Sequence, residues 1–242
     1  MRIDRFLSTT GKATRTEAKK AIRAKAVTVN GKAVTASDIH IDPINDVVTF
    51  FGETVIYREY TYIMLNKPDG VVSATEDGKD KTVLDLLPPD LRKNDKLFPC
   101  GRLDKNTLGL MLITDNGDLA HELLSPRSHV TKSYRFKAAE PISQEDAMRF
   151  EAGVTLADGY VTMPAKIEIF ENGDEGIITL KEGKYHQIKR MLGALNNRII
   201  YLERVTFGPL TLDETLKRGE WRFLTEKEIE DLKQHKKNFS GV

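Results

Sequence analysis

The chain has 242 residues, of which 40% are hydrophobic and 30% are charged, and its formal net charge is +1. This length and composition predict one or two globular domains with enough apolar residues to form a core. The one cysteine, Cys100, excludes a disulfide framework and a multi-cysteine zinc site, and no apolar run has the length of a membrane span. We therefore expect a cytoplasmic protein without a membrane partner.

Positive charge is concentrated at the start of the chain. Residues 1–32 hold nine basic and two acidic side chains, a net charge of +7, whereas the remainder has a net charge of −6. Clustered cations are typical of phosphate binding, because each neutralised phosphate releases counterions. A solvated helix face would show the same charge run, so charge alone leaves both interpretations open. The candidate RNA-binding residues in this segment are Arg2, Arg5, Arg15, Lys19, Lys20, Arg23 and Lys32.

The first 60 residues predict a small α+β module. The apolar spacing within residues 3–7 predicts a short helix, and Thr14 with Glu17 predicts a capping box at the start of a second helix. Asn30-Gly31 between two short apolar runs predicts a β-hairpin. A further strand is expected over 47–51, and residues 57–60 are the expected linker.

These elements resemble the S4-like RNA-binding module, also found in a small-subunit ribosomal protein. The resemblance is carried by Arg2-x-Asp4-x-Phe6-Leu7, by Thr14-Arg15 and by Val27-x-Val29-Asn30-Gly31. It implies an RNA-binding domain over residues 1–58. One position departs from the family pattern, because Lys25 stands where glycine is usual. That turn therefore either avoids a positive φ or carries mild backbone strain.

A second domain is expected over residues 61–235, with a flexible tail over 236–242. Its strands and helices do not alternate regularly, which predicts a mixed α+β fold. The predicted strands are 62–65, 108–114, 133–139, 154–157, 160–163, 166–170, 175–181, 205–211 and 221–224. The predicted helices are 117–124, 142–152, 184–195 and a terminal helix that begins at Glu226.

The sequence lacks the common motifs of cofactor and metal chemistry. It contains neither a P-loop nor a dinucleotide-binding glycine motif, and the G-x-S-x-G motif of many hydrolases is missing. Its five histidines do not show the H-x-x-x-H spacing of a metal site. We therefore expect no cofactor and no metal. Cys100 is expected to be a buried structural residue, since no histidine pairs with it in a motif.

One group of residues before a buried strand suggests chemistry. Asp104 precedes the apolar run 108–114 and is flanked by Arg102 and Lys105. Nearby cations favour an ionised carboxylate, which suits a nucleophile or a general base. A solvated loop aspartate beside a surface arginine would show the same pattern, so these residues alone do not decide between the two.

Four segments in order resemble the pseudouridine synthases of the RsuA/RluA superfamily. They are Asn66-Lys67-Pro68-Asp69-Gly70-Val71-Val72-Ser73, the G-R-L-D-x-x-T-x-G-L run over 101–110, the K-x-Y motif over 132–134 and a third motif over 182–192. Four ordered motifs behind an RNA-binding module are far more specific than any one of them. The Y-H-Q-I-K-R-M form, with Lys189 where other branches carry arginine, indicates the RsuA-like branch that acts on small-subunit rRNA.

The resemblance implies an rRNA pseudouridine synthase that uses no cofactor, with Asp104 as the essential carboxylate. Whether Asp104 attacks the sugar, attacks the base or removes the 2′ proton stays open. The implied partner of Asp104 is Lys189, with Arg190 as the second candidate. Tyr134 would stack on the flipped uracil or assist its proton transfer. Arg102 would replace the extruded base or contact phosphate, and Arg190 is also a candidate RNA contact.

The implied target is the family's uridine 516 site in small-subunit (16S) rRNA, free or partly assembled, and the expected enzyme is a monomer. His186 and Gln187 are expected to support their loop rather than perform chemistry. The alternatives are a synthase for large-subunit (23S) rRNA, a non-catalytic rRNA-binding assembly protein and a metal-independent hydrolase. The presence of Asp104 and Tyr134 disfavours a non-catalytic protein. A hydrolase would release uracil or cleave the RNA.

Overall fold

The structure is a computed structural model that describes residues 1–57 and 59–237. The chain divides into two compact units, one of Met1–Tyr60 with Pro89–Asp95 and the other of Thr61–Pro88 with Lys96–Val242. The segment Pro89–Asp95 lies within the sequence range expected for the second domain and groups with the first unit. Part of the tail expected over 236–242, from residue 238 on, lies outside the described residues.

The first unit is built from two helices followed by a small antiparallel sheet. Within Met1–Tyr60 the elements are α1 (Ile3–Thr9), α2 (Arg15–Arg23), β1 (Val27–Val29), β2 (Lys32–Ala33), β3 (Val48–Phe50) and β4 (Glu53–Val55). The strands lie in the order β2-β1-β3-β4. The short helix α3 (Pro89–Arg92) also belongs to this unit. The predicted hairpin is confirmed, with Val29 opposite Lys32 and positive φ angles at both Asn30 and Gly31.

Apolar residues from both helices and the sheet form one core in this unit. The predicted capping box is present, since the Thr14 hydroxyl accepts from the Glu17 amide and the Glu17 carboxylate accepts from the Thr14 amide. The Tyr57 ring stacks on Phe6 at 5.8 Å, so the first residue of the predicted linker packs against the core. Lys25 has a φ of 57°, so the turn at this position does not avoid a positive φ and carries mild backbone strain.

The second unit has an α+β fold, as predicted, around one large sheet. Its helices are α4 (Gly117–Leu124), α5 (Gln144–Ala152), α6 (Gln187–Ala194) and α7 (Glu226–Lys237). Its strands are β5 (Tyr62–Lys67), β6 (Phe98–Pro99), β7 (Leu108–Thr114), β8 (Lys132–Ala138), β9 (Lys166–Ile169), β10 (Glu175–Leu180), β11 (Ile199–Phe207), β12 (Leu210–Thr211) and β13 (Trp221–Phe223). Two short 3₁₀ helices cover Leu84–Leu86 and Pro126–Ser128.

The sheet has nine strands, and its main path is β13-β5-β7-β11-β8-β10-β9. β12 pairs with β11, and β6 pairs with β7. The β7–β11 pair is parallel, while the other described pairs are antiparallel. All six residues of β5 and six of the seven in β7 are buried. Because Lys67 pairs with Gly109, the end of β5 lies beside the loop that leads into β7.

Four predicted elements differ from the structure. The strands expected over 154–157 and 160–163 are replaced by one isolated bridge between Thr155 and Val161. The strand expected over 205–211 is two strands, because a turn with a positive φ at Gly208 separates β11 from β12. The helix expected from Lys184 begins at Gln187, since His186 has a left-handed backbone. Within the described ranges, no helix is both long and apolar enough to cross a membrane.

Candidate active site

A small open cleft of about 70 Å³ lies in the second unit. The loop before β7, the loop that enters α6 and the strands β8, β10 and β11 contribute to its walls. Four residues that the sequence singled out line this cleft: Arg102, Asp104, Tyr134 and Lys189. The fold thus brings together side chains from three of the four motifs.

The Asp104 carboxylate has a different partner on each oxygen. Lys189 Nζ lies 2.7 Å from Oδ2, and His186 Nε2 lies 3.3 Å from Oδ1. The Asp104 side chain is 23% exposed, so the carboxylate is held in place and still reachable from solvent. Arg190, the second candidate partner, instead pairs with Asp158 at 2.5 Å. The ammonium group that stabilises the negative charge of Asp104 is therefore that of Lys189.

Burial of one face of helix α6 fixes the rotation of the helix, and Lys189 lies beside that face in the lining of the cleft. The buried residues are Ile188, Met191 and Leu192, of which Ile188 also lines the cleft. Gln187 anchors the preceding loop: its Oε1 accepts from the Lys184 amide at 2.9 Å, and its Nε2 donates to Glu182 at 2.6 Å. The loop-supporting role expected for Gln187 is in keeping with these bonds.

The first motif fixes the loop that carries Asp104. Lys67 is fully buried, and its Nζ donates to the carbonyl groups of Pro68, Lys105 and Thr107 at 2.9–3.1 Å. Burial lowers the pKa of Lys67 to about 8. Together these bonds hold the loop on the C-terminal side of Asp104.

Ser73 holds the other side of the same loop. Its Oγ accepts from the Leu103 amide at 3.0 Å and donates to the Leu103 carbonyl at 2.9 Å. Both are buried hydrogen bonds, which are costly to break without a replacement partner. Lys67 and Ser73 therefore fix the backbone on both sides of Asp104.

The cations next to Asp104 in sequence do not pair with it. Lys105 forms an ion pair with Asp80 at 2.8 Å. Arg102 is exposed at the cleft and forms no hydrogen bond or ion pair with the rest of the described chain. Arg102 is therefore placed where an RNA group could reach it.

Tyr134 lies on β8 with only 9% of the residue exposed. The apolar side chains of Leu180 and Leu202 line the cleft with it. A flat ring beside aliphatic walls is a surface on which a nucleobase can pack.

Sequence reasoning missed two buried or site-facing residues. It did not predict the contact between His186 and Asp104, because this contact depends on the left-handed backbone of His186. It also did not predict that Arg204 is almost fully buried, with Nε donating to the Leu110 carbonyl at 2.8 Å. Two charged residues in succession, Glu203 and Arg204, are not a pattern that indicates a central strand.

Cys100 is buried, as expected, and burial raises the pKa of its thiol to about 12. The thiol is therefore protonated at neutral pH and unsuited to nucleophilic attack. No group of three or more histidine, cysteine, aspartate or glutamate residues in the described ranges could hold a metal ion.

The basic residues singled out in the first unit are exposed. Arg15, Lys19 and Arg23 follow at intervals of four on α2, so they share one face of that helix. Arg2 is bound to the buried carboxylate of Asp4, with its Nη2 2.8 Å from Oδ2. The remaining exposed residues of the set are Arg5, Lys20 and Lys32.

Comparisons with known proteins match both parts of the chain. A family model described as RNA pseudouridylate synthase matches residues 61–194, and an S4 domain matches residues 1–42. An uncharacterized RNA pseudouridine synthase of Bacillus subtilis, YtzG, is 46% identical over 97% of this chain and 99% of its own length.

Two further relatives cover almost the whole chain. The ribosomal small subunit pseudouridine synthase A of Vibrio cholerae is 40% identical over 96% of this chain and 99% of its own length. A crystal structure of a pseudouridylate synthase superimposes with a TM-score of 0.68 at 38% identity, covering 96% of this chain and 99% of that one. The chain therefore belongs to the RNA pseudouridylate synthase family and carries an S4 domain in front of its synthase domain.

Proposed function

We propose that this chain converts uridine 516 of small-subunit (16S) rRNA to pseudouridine, with Asp104 as the essential carboxylate. The observation that carries the proposal is the Asp104–Lys189 ion pair, 2.7 Å long, in a cleft that Tyr134 also lines. Full-length relatives named ribosomal small subunit pseudouridine synthase A support the choice of rRNA.

The reaction rearranges bonds within one nucleotide. The C1′–N1 bond breaks, the uracil turns, and a C5–C1′ bond forms. C5 then loses its hydrogen and N1 gains one, so no atom, electron or cofactor is consumed overall. Attack by Asp104 on the sugar, attack on the base and removal of the 2′ proton all need an ionised carboxylate within reach of the nucleoside. Lys189 stabilises that charge in each case.

Tyr134 would pack against the uracil after it leaves the RNA stack, and Arg102 would occupy the vacated position or bind a neighbouring phosphate. Flipping a base requires a few kcal/mol, which contacts with the RNA backbone must offset. The exposed cations of the first unit can supply such contacts without reading sequence. Arg190 would contribute only if RNA displaced Asp158 from it.

We propose that the enzyme works in the cytoplasm as a monomer, on 16S rRNA that is either free or in a partly assembled particle. The +7 charge of residues 1–32 supports binding to an RNA backbone in either form.

Release of tritium from uridine labelled at C5 tests the proposed substrate, because the C5 hydrogen leaves during the reaction. The substrates are free 16S rRNA, partly assembled small-subunit particles and 23S rRNA. We expect release from a small-subunit substrate and its loss when uridine 516 is replaced by cytidine. Release from 23S rRNA alone would contradict the small-subunit assignment. Free uracil or cleaved RNA would contradict an isomerase.

A further inference from the structure

The loop before α6 carries two stacked aromatic rings, of which His186 lines the cleft and Tyr185 stands between the cleft residues Lys184 and His186 in sequence. The Tyr185 and His186 ring centroids lie 3.8 Å apart, and the ring planes differ by 18°. Tyr185 is 75% exposed although one face of its ring covers His186. The opposite face is therefore open to solvent. Exposed aromatic faces beside a cleft are surfaces on which proteins stack unpaired bases.

His186 connects this ring stack to the Asp104 carboxylate. Its Nε2 lies 3.3 Å from Oδ1, whereas Lys189 occupies Oδ2. The backbone of His186 is left-handed, with φ 48° and ψ 34°, a conformation uncommon for residues other than glycine, although asparagine, aspartate and histidine adopt it more often than the rest. Strained backbone of this kind persists only where its surroundings hold it. Here the strained residue lies between Tyr185 and Asp104.

The charges around the ring stack favour a nucleic acid as the occupant. Lys184 lines the same cleft, and its Nζ lies 4.8 Å from the centre of the Tyr160 ring. Arg102 is exposed on the cleft as well. Aromatic rings alternating with cations are typical of surfaces that bind single-stranded nucleic acid, where the rings stack on bases and the cations contact phosphates.

We propose that Tyr185 stacks on a base next to the target uridine and that His186 couples this contact to Asp104. The inference rests on the proposed function. When the target uridine leaves the RNA stack, its neighbour loses a stacking partner, and Tyr185 replaces that partner. His186 packs under Tyr185 and holds Oδ1 of Asp104. Tyr185 is thus an RNA-binding residue, and His186 is a positioning residue.

The test of the stacking contact compares Tyr185→Leu, Tyr185→Phe and Phe170→Leu. Phe170 is a matched control because it is an aromatic residue, 41% exposed, that neither stacks on a cleft residue nor neighbours one in sequence. We expect Tyr185→Leu to raise KM about tenfold, a value within the range for loss of one base–aromatic stack. The single-turnover rate at saturating RNA should fall as well, by less than in His186→Leu, because leucine also removes the ring that packs on His186. Tyr185→Phe keeps the ring and, like Phe170→Leu, should keep the wild-type KM.

The test of the coupling uses His186→Leu, His186→Gln and His186→Asn. Leucine removes the contact with Asp104, so we expect the single-turnover rate at saturating RNA to fall about tenfold, less than the hundredfold or more for loss of an oxyanion-hole donor. Glutamine places a hydrogen-bond donor at about the reach of Nε2, so it should restore part of the rate. Asparagine tolerates left-handed backbone but is too short to reach Oδ1, so its rate should stay near that of the leucine variant. If His186 served only to stabilise the fold, any recovery of the rate would be accompanied by a matching recovery of the unfolding temperature.

Each result decides a separate claim. An unchanged KM in Tyr185→Leu, or an equal rise in Phe170→Leu, overturns the stacking contact. An unchanged single-turnover rate in His186→Leu overturns the coupling. The RNA used is whichever rRNA the wild-type enzyme modifies, as identified beforehand by tritium release. A wrong small-subunit assignment therefore appears as a different substrate, whereas a wrong inference appears as unchanged kinetics on that substrate.

Discussion

Asp104 and its loop are held by four side chains that lie far from Asp104 in sequence. Two of them contact the carboxylate and two contact the backbone on either side. Lys189 contacts one carboxylate oxygen, His186 contacts the other, and Lys67 and Ser73 fix the backbone of the loop. A carboxylate that must meet a reacting nucleoside benefits from such pre-organisation, because little reorganisation remains when the substrate arrives.

The neighbouring cations Lys189 and Arg190 allow a matched comparison. We expect Lys189→Met to lower the single-turnover rate about a hundredfold, since it removes the charge that stabilises Asp104. Arg190→Met removes a cation one position away whose partner is Asp158, so its rate at saturating RNA should remain near the wild-type value. Single-turnover measurements at saturating RNA check both variants. Equal losses in the two would contradict the assignment of Lys189 as the partner of Asp104.

Burial of Lys67 should make the free energy of unfolding vary with pH in the alkaline range. Its pKa is about 8 in the folded chain, below the ordinary value of 10.5, because burial disfavours the charge. Between these values the unfolded chain binds more protons, so the free energy of unfolding should rise as pH rises from about 8 to about 10.5.

Urea unfolding at several pH values across this range checks the Lys67 effect. Lys67→Met should show a smaller rise of the unfolding free energy with pH than the wild type. Part of the rise should remain, because burial also lowers the pKa of Lys132 to about 8. The control Lys227→Met alters an exposed lysine and should leave the pH dependence unchanged. An identical pH dependence in Lys67→Met and wild type would contradict the burial of a charged Lys67.

The parallel contact between β7 and β11 explains the second glycine of the G-R-L-D-x-x-T-x-G-L motif. Gly109 has a φ of 97°, and a Cβ there would lie 2.3 Å from the Arg204 carbonyl oxygen. A side chain at this position would therefore force the two central strands apart. β7 also pairs with β5 on its other side, and that register places the loop with Asp104 beside the end of β5.

Gly109→Ala and Gly117→Ala form a matched pair for this element. We expect Gly109→Ala to destabilise the fold by about 3 kcal/mol or more, since backbone strain and an overpacked contact add. Gly117 begins α4 and has nothing within 4 Å of its ideal Cβ position, so alanine there should be neutral or stabilising by up to about 1 kcal/mol. Urea unfolding measures both. A Gly109→Ala variant as stable as the wild type would contradict the close approach.

Periodicity and turn chemistry predicted the elements whose sequences carry one clear pattern. The apolar run of β7 and the Asn30-Gly31 hairpin are examples. Residues 199–204 of β11 were not predicted as strand, because they include Arg204, a charged residue that the folded chain buries almost completely. Likewise, no local pattern in the sequence indicates that His186 adopts a left-handed backbone and reaches Asp104.

At the scale of the whole molecule, the chain joins a basic unit to a unit that contains the reactive cleft. The formal charge of +1 conceals this division, because a net +7 in residues 1–32 is balanced by acidic residues later in the chain. The order of the motifs predicted the family and identified Asp104 as the candidate carboxylate. It did not predict which loops and cations contact that carboxylate, since those contacts are set by tertiary packing.

The salt dependence of RNA binding tests the role of the basic unit. Replacing Arg15, Lys19 and Arg23 with glutamine should weaken binding and reduce the slope of log K against log salt by about 2 to 3, or about 0.7–0.9 for each phosphate that is no longer neutralised. Replacing the exposed Lys166, Lys227 and Lys233 removes equal charge from the other unit and should change the slope little. Filter binding across a salt series distinguishes the two triple variants. Equal slopes would contradict a specific role for α2.

Tritium release from C5-labelled rRNA by the wild type and by Asp104→Asn tests the proposed role of Asp104 in uridine isomerisation. Asparagine preserves the shape of the side chain and removes its charge. We expect release by the wild type, no detectable release by Asp104→Asn, equal RNA affinity of the two proteins, and retained activity in the control Asp158→Asn. Release by Asp104→Asn at the wild-type rate would show that Asp104 is not the essential carboxylate.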